Sequence, residues 1–175
     1  MMEKSNRIKL ILTDIDGVWT DGGMYYDQMG NELKRFNTYD GGGVYLAHRF
    51  GIKVGIITGE TTKIVEVRAK KVKADYLFQG IMDKLAVVKD LCEKESLQFD
   101  EVAYIGDDTM DVPVLKAAVF SACPSSAHDY VKRCADIVLS KKGGEGVFRE
   151  FVELIINNKY GTSDVLEALD KFSIK

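Results

Sequence analysis

Apolar residues fall into two alternating rhythms along this chain. Short runs rich in β-branched residues, at 8–13, 53–58, 75–78, 101–105, 119–122 and 136–139, have the length and make-up of buried strands. Between them, segments at 44–50, 61–72, 82–95, 112–118, 127–133 and 146–157 carry apolar residues at three-to-four spacing and read as helices. In 82–95, Leu85, Val88, Leu91 and Cys92 make the apolar stripe while lysines and acids take the opposite face. Strand–helix alternation over most of the length predicts a three-layer α/β fold, a parallel sheet with right-handed crossovers and helices on both faces. Ligands of such sheets sit beyond the carboxyl ends of the strands, so the residues that close each strand are the ones to inspect.

Two segments break the rhythm. Residues 18–39 have no helical period; Met24, Tyr25 and Tyr26 and then 32–36 flank a polar turn, which predicts a β-hairpin flap after the first strand. After residue 157, Val165, Leu166, Leu169 and Phe172 predict a short amphipathic helix in a tail at 158–175, docked on its own or a neighbouring subunit. With no linker or repeat, 1–175 reads as one domain.

A net charge of −3 and 46% hydrophobic residues exclude general nucleic-acid affinity and disorder. The apolar stretch at 10–12 is cut at once by Asp14 and Asp16, too short for a signal peptide or membrane span, so a cytoplasmic location is expected. Cys92, Cys123 and Cys134 have no CxxC spacing and read as reduced core residues.

The strand ends carry the chemistry. The first closes on Thr13-Asp14-Ile15-Asp16-Gly17, and residues two apart on extended chain point the same way. Two carboxylates at about 4 Å repel by roughly 4 kcal/mol at an effective dielectric of 20, so the pair calls for a cation or a shared proton. The second closes on Thr58-Gly59-Glu60, a hydroxyl and backbone N–H groups that suit a phosphate oxygen. After the third comes Lys84 at a helix start, where the macrodipole disfavours a cation unless an anion awaits it. The fourth ends in Gly106-Asp107-Asp108, with Asp111 just beyond, a set that suits Mg2+; no His or Cys cluster favours zinc. His48 and His128 lack matching partners and read as non-catalytic. Each station alone has a structural explanation, but four in order at successive strand ends do not share one.

That ordered set, DxDG, T, K and GDDxxD, resembles the haloacid dehalogenase superfamily of phosphohydrolases. The run LTDIDGVWTDGGMYYDQMGNELKRFNTYDGGGV at 12–44, with DYLFQGIMDK at 75–84 and GGEGVFRE at 143–150, is similar to its small, capless branch. Members of that branch dephosphorylate 3-deoxy-octulosonate 8-phosphate (KDO 8-phosphate), for lipopolysaccharide synthesis, and related sugar acids. The resemblance implies a Rossmann-like fold without a cap domain and an aspartyl-phosphate mechanism. Asp14 would be the nucleophile and Asp16 the general acid and base. Mg2+ would be held by Asp14, the Asp16 carbonyl and Asp107. Thr58 and Lys84 would bind the phosphoryl group, supported by Asp108 and Asp111. It also implies a homotetramer in which a neighbouring subunit supplies the lid, with 143–146 and the tail approaching the active site.

The acid at Glu60, where octulosonate phosphatases usually carry arginine, favours hydroxyls over a carboxylate. Together with Gly59, Arg68 and Lys71 as substrate contacts, it points to 2-keto-3-deoxynononate 9-phosphate, with KDO 8-phosphate as the alternative. A receiver-like phosphorylation switch has no need of a carboxylate at Asp16. A phosphomutase would need a cap, and a non-catalytic binding module would not need the full set.

Overall fold

A computed structural model describes residues 2–173. Six parallel strands form the central sheet in the order β5-β4-β1-β6-β7-β8. They are β1 (Leu10–Thr13), β4 (Lys53–Ile57), β5 (Tyr76–Phe78), β6 (Val102–Ile105), β7 (Phe120–Cys123) and β8 (Ile137–Val138). A separate antiparallel pair, β2 (Tyr25–Tyr26) and β3 (Glu32–Leu33), follows β1. The connection order places β1 centrally, between β4 and β6, and puts the crossover switch at its carboxyl end.

Alternating side chains of the strands feed two cores. Ile11, Val54, Ile56, Ala103 and Ile105 pack beneath α2 (Thr38–Arg49), α3 (Lys63–Val72) and α7 (Val147–Tyr160). Leu10, Leu12, Ile57, Val102 and Tyr104 pack beneath α4 (Lys84–Glu95), α5 (Val112–Ala117) and α6 (Asp129–Lys132). The three-layer expectation therefore holds, and β1 is buried at every position because both faces are covered. Of the stripe on α4, Val88, Leu91 and Cys92 are shut off from solvent and Leu85 is partly buried against the same core.

Three elements differ from the sequence pattern. Helix α1 (Met2–Arg7) precedes the first strand and is short and polar, with no apolar period to betray it. Helix α2 begins at Thr38 rather than residue 44, through the run Gly41-Gly42-Gly43, which propensity disfavours by about 1 kcal/mol per glycine. Packing overrides that cost: a Cβ at Gly43 would lie 3.1 Å from the Arg149 backbone and from the Phe148 ring, so the bare backbone lets α2 sit against α7. Asp40, in the first turn of α2, accepts from Arg149 N at 3.3 Å and ties the two helix starts together. Finally, the hairpin pairs only 25–26 with 32–33; residues 18–20 belong to a tight turn whose N–H groups all donate to Ile15 O.

The tail forms α8 (Val165–Ser173), docked on its own chain through Phe172, whose ring packs tilted with its centroid 5.0 Å from that of Phe50, near the amino ends of the strands. Among the described residues no helix is long and apolar enough to cross a membrane.

Candidate active site

Asp14 extends β1 by one residue, donating its N–H to Ile105 O at 3.0 Å. Trp19, buried in the turn that follows, donates Nε1–H to Thr13 Oγ1 at 3.1 Å and stacks 5.0 Å from Phe148. That anchored turn brings Asp14 and Asp16 into one cleft of about 340 Å³ at the carboxyl edge of the sheet. Gly17 makes the close approach possible. Its φ is +84°, and a Cβ there would fall 1.9 Å from Asp107 Oδ2. The glycine-rich segment also arrives as the resemblance implied: Gly144 N donates to Val18 O at 2.9 Å and Gly143 N to the Ser126 hydroxyl at 3.1 Å. Helix α8, in contrast, lies at the other end of the strands.

Lys84 opens α4, whose N-cap Asp83 accepts from Ala86 N. Its buried ammonium lies 3.0 Å from Asp14 Oδ2 and 2.7 Å from Asp111 Oδ1. Asp111 is fully buried and accepts four hydrogen bonds: from Lys84, from Tyr104 Oη at 2.5 Å, and from Asp107 N and Asp108 N at 2.8 and 3.0 Å. Asp108 caps the turn at 109–111, accepting from Thr109 N at 2.7 Å and Tyr130 Oη at 3.0 Å. Thr58 is buried beneath the cleft, and its hydroxyl oxygen accepts from Glu60 N at 3.3 Å, leaving its own proton to donate. Gly59 and Glu60 line the cleft as well.

The structure does not bring Arg68 and Lys71 there. Arg68 is packed over the Trp19 and Phe36 rings and donates to Asn37 O at 2.7 Å; its flat guanidinium fills a structural slot. Lys71, one turn further along α3, is solvent-exposed. Sequence reasoning missed Asp21, Met110 and Ser126, which line the cleft, and also Tyr104 and Lys34. Tyr104 had a signal, a phenol inside an apolar strand that must find a partner when buried. Lys34 had none, because only the folded hairpin carries it to Asp16.

Electrostatics set the demand for a cation. Burial, then repulsion from Asp111, push Asp14 up from 3.8 to about 7 despite Lys84. Burial, then Asp14 and Asp111, push Asp107 up to about 8. Burial alone would pull the Lys84 ammonium down, but Asp14 and Asp111 outweigh it and hold it above its ordinary value. Asp14, Asp107 and Asp111 place carboxylate oxygens within 4.8 Å of one another. The Asp111 oxygens are already filled by four donors, whereas Asp107 Oδ1 is buried without a partner. The residues therefore fit a hard divalent cation held by Asp14 and Asp107, with Asp111 as their support.

A pH prediction follows from those raised values. With no metal, folded Asp14 and Asp107 keep protons that the unfolded chain releases near 3.8, so the contribution of these two acids to folding stability is most favourable below that value. It falls as pH rises towards about 8. Added Mg2+ binds the ionised pair, so its increment in Tm should be larger at pH 8 than at pH 5.5, with protons released on binding near pH 7. Equal increments at both pH values, by scanning fluorimetry, would remove these acids as ligands.

Both the sequence and the fold are similar to those of known proteins. A family model described as haloacid dehalogenase-like hydrolase matches residues 48–151. The 3-deoxy-D-manno-octulosonate 8-phosphate phosphatase of Escherichia coli (strain B / BL21-DE3) is 39% identical over 156 residues, 89% of this chain and 83% of that one. A probable YrbI-family phosphatase from Pseudomonas syringae superposes with a TM-score of 0.91 at 38% identity, over 99% of this chain and 97% of its own. The corresponding phosphatase of Moraxella catarrhalis, solved with a magnesium ion, a phosphate ion and a KDO molecule, superposes with a TM-score of 0.90. It is 32% identical and covers 99% of this chain and 95% of its own. With a family match over more than half its length and full-length likeness to capless phosphatases, this chain belongs to the haloacid dehalogenase-like hydrolases, as a phosphoric monoester hydrolase of their capless branch.

Proposed function

We propose that this enzyme hydrolyses KDO 8-phosphate through an aspartyl phosphate on Asp14. One observation carries the chemistry: a buried carboxylate 3.0 Å from the Lys84 ammonium, in a cleft shared with the Asp16 carboxylate and the buried Thr58. The relatives' substrate supports the eight-carbon acid better than the nine-carbon acid to which Glu60 pointed.

Asp14, Asp107 and the Asp16 carbonyl would hold Mg2+, which when bound would supply neutralisation of the charge on the phosphoryl oxygens. Lys84 and the Thr58 hydroxyl hold those oxygens in line with Asp14. An Asp14 oxygen attacks phosphorus, the bond from phosphorus to the sugar oxygen breaks, and that oxygen takes the proton of Asp16. Asp16 then removes a proton from water as the water oxygen attacks phosphorus. The Asp14–phosphorus bond breaks, returning the carboxylate and releasing inorganic phosphate. Asp111 takes no part in bond making; it fixes Lys84.

One feature favours a second reading, the nine-carbon acid: Glu60, which is exposed at the cleft. The test is kcat/KM for both acid phosphates in wild type and Glu60→Arg. The wild type is expected to prefer KDO 8-phosphate. A wild-type preference for the nine-carbon substrate, reversed by Glu60→Arg, would establish the second reading instead.

The open cleft calls for a lid, and we assign it to a neighbouring subunit in a homotetramer. Tyr25, Tyr26, Met29 and Leu33 of the hairpin expose apolar surface that a subunit contact would cover. Sedimentation at four times the 19.5 kDa chain mass is the expected result, and a monomer at working concentration would refute it.

A further inference from the structure

Lys34 is a charge the reaction described so far does not use. It follows β3, eighteen positions beyond Asp16 in sequence, yet its Nζ lies 2.5 Å from Asp16 Oδ1. A second carboxylate oxygen, Glu32 Oε1, lies 3.3 Å away on the hairpin itself. The Lys34 side chain has no exposed surface and is absent from the cleft lining, so it does not reach a bound substrate. Asp16 Oδ1 also receives the Thr20 hydroxyl at 3.4 Å, while Oδ2 is buried without a partner. One oxygen of the carboxylate is thus held by two donors, while the other is enclosed and carries no hydrogen bond.

We propose that Lys34 is a positioning residue: delivered by the hairpin and braced by Glu32, it holds Asp16 Oδ1 and so fixes the orientation of the carboxylate that exchanges a proton with the sugar oxygen and then with the water. A buried ammonium is costly to desolvate, and a fixed geometry between two carboxylates is what that cost secures. The hairpin then serves the reaction from within its own subunit, besides any part in assembly. This inference rests on the aspartyl-phosphate reading, and the experiment separates the two.

Wild type, Lys34→Met, Asp16→Asn and the double variant are mixed with p-nitrophenyl phosphate and Mg2+ in a stopped-flow instrument. Nitrophenolate is a good leaving group and needs little protonation, whereas hydrolysis of the phosphoenzyme still needs an oriented base. Asp16→Asn is expected to release about one nitrophenolate per site in a burst and then turn over about 10²–10⁴-fold more slowly than wild type. Lys34→Met should keep the burst, lose at least about tenfold in steady-state rate, and shift KM for KDO 8-phosphate less than threefold. The double variant should match Asp16→Asn within about twofold, because Lys34 acts only through that carboxylate.

If Asp16→Asn shows no burst and no phosphorylated protein on acid quench, the covalent reading fails, whatever Lys34 does. If Asp16→Asn bursts but the Lys34 and Asp16 losses multiply, or Lys34→Met raises KM at unchanged kcat, the positioning role is overturned. Should Lys34→Met fail to fold, Lys34→Arg carries the test. Its guanidinium keeps the charge but not the geometry of a compact ammonium, and the same burst-retaining loss is expected, smaller in size. Wild-type turnover in folded Lys34→Arg would overturn the proposal.

Discussion

Asp14→Asn should lower phosphate release from any monoester by at least about 10⁴-fold, in line with the loss of other enzyme nucleophiles. The amide nitrogen and oxygen cannot replace a carboxylate as attacking group, and the variant also loses a metal ligand. The fold should survive the change, because Lys84 keeps its 2.7 Å contact to Asp111 and the crowding of acids is relieved. A Tm within a few degrees of wild type, against turnover at background, is therefore the expected pairing. Acid-quenched protein should gain a phosphoryl group in Asp16→Asn and none in Asp14→Asn, read by intact mass. If Asp14→Asn retains substantial activity, water attacks phosphorus directly and the covalent route is wrong.

Asp111→Ala should produce the largest structural effect. Its fully buried carboxylate serves Lys84, Tyr104 and two backbone N–H groups, so truncation strands four donors at once, the Lys84 and Tyr104 ones buried. Breaking a buried charge pair costs roughly 3–5 kcal/mol, against which relief of the repulsion on Asp14 and Asp107 is a partial offset. At about 2–4 °C per kcal/mol for a chain of this length, Tm should fall by roughly 10 °C. Asp111→Asn tests the cause. An amide has one acceptor oxygen and turns its NH₂ towards donors on one side, so it cannot satisfy both pairs. A loss as large as half that of alanine is expected, with kcat reduced because Lys84 is no longer held against Asp14. Wild-type stability in the asparagine variant would show that neither the charge nor the full set of four accepted hydrogen bonds holds the hub together.

How the site is supported was less legible than what it contains. Asp14, Asp16, Thr58, Lys84 and Asp107 could be found because each sits just past a strand of readable period, and strand ends of a parallel sheet converge. Lys34 and the place of Arg68 could not, since both depend on how the segment 18–39 folds back on the body. Arg68 reads as a cation for substrate until Trp19 and Phe36 are seen to enclose it. Helix α2 was shortened in the reading because three glycines outweigh helical spacing locally, whereas the close contact with α7 pays back their conformational cost. The amphipathic tail was readable as a helix, but its docking site beside Phe50 was open.

By itself, then, the order of residues determined the α/β class, the acid pair and the strand-end residues that meet in one cleft. These follow from local periodicity and from residue types at element ends, which need no knowledge of distant neighbours. Only the tertiary structure decided that Asp111 gathers four donors on its carboxylate, and that Asp16 is held on one oxygen by Lys34. Those facts depend on which donors reach a buried oxygen across the fold, a matter of packing between segments far apart in the chain.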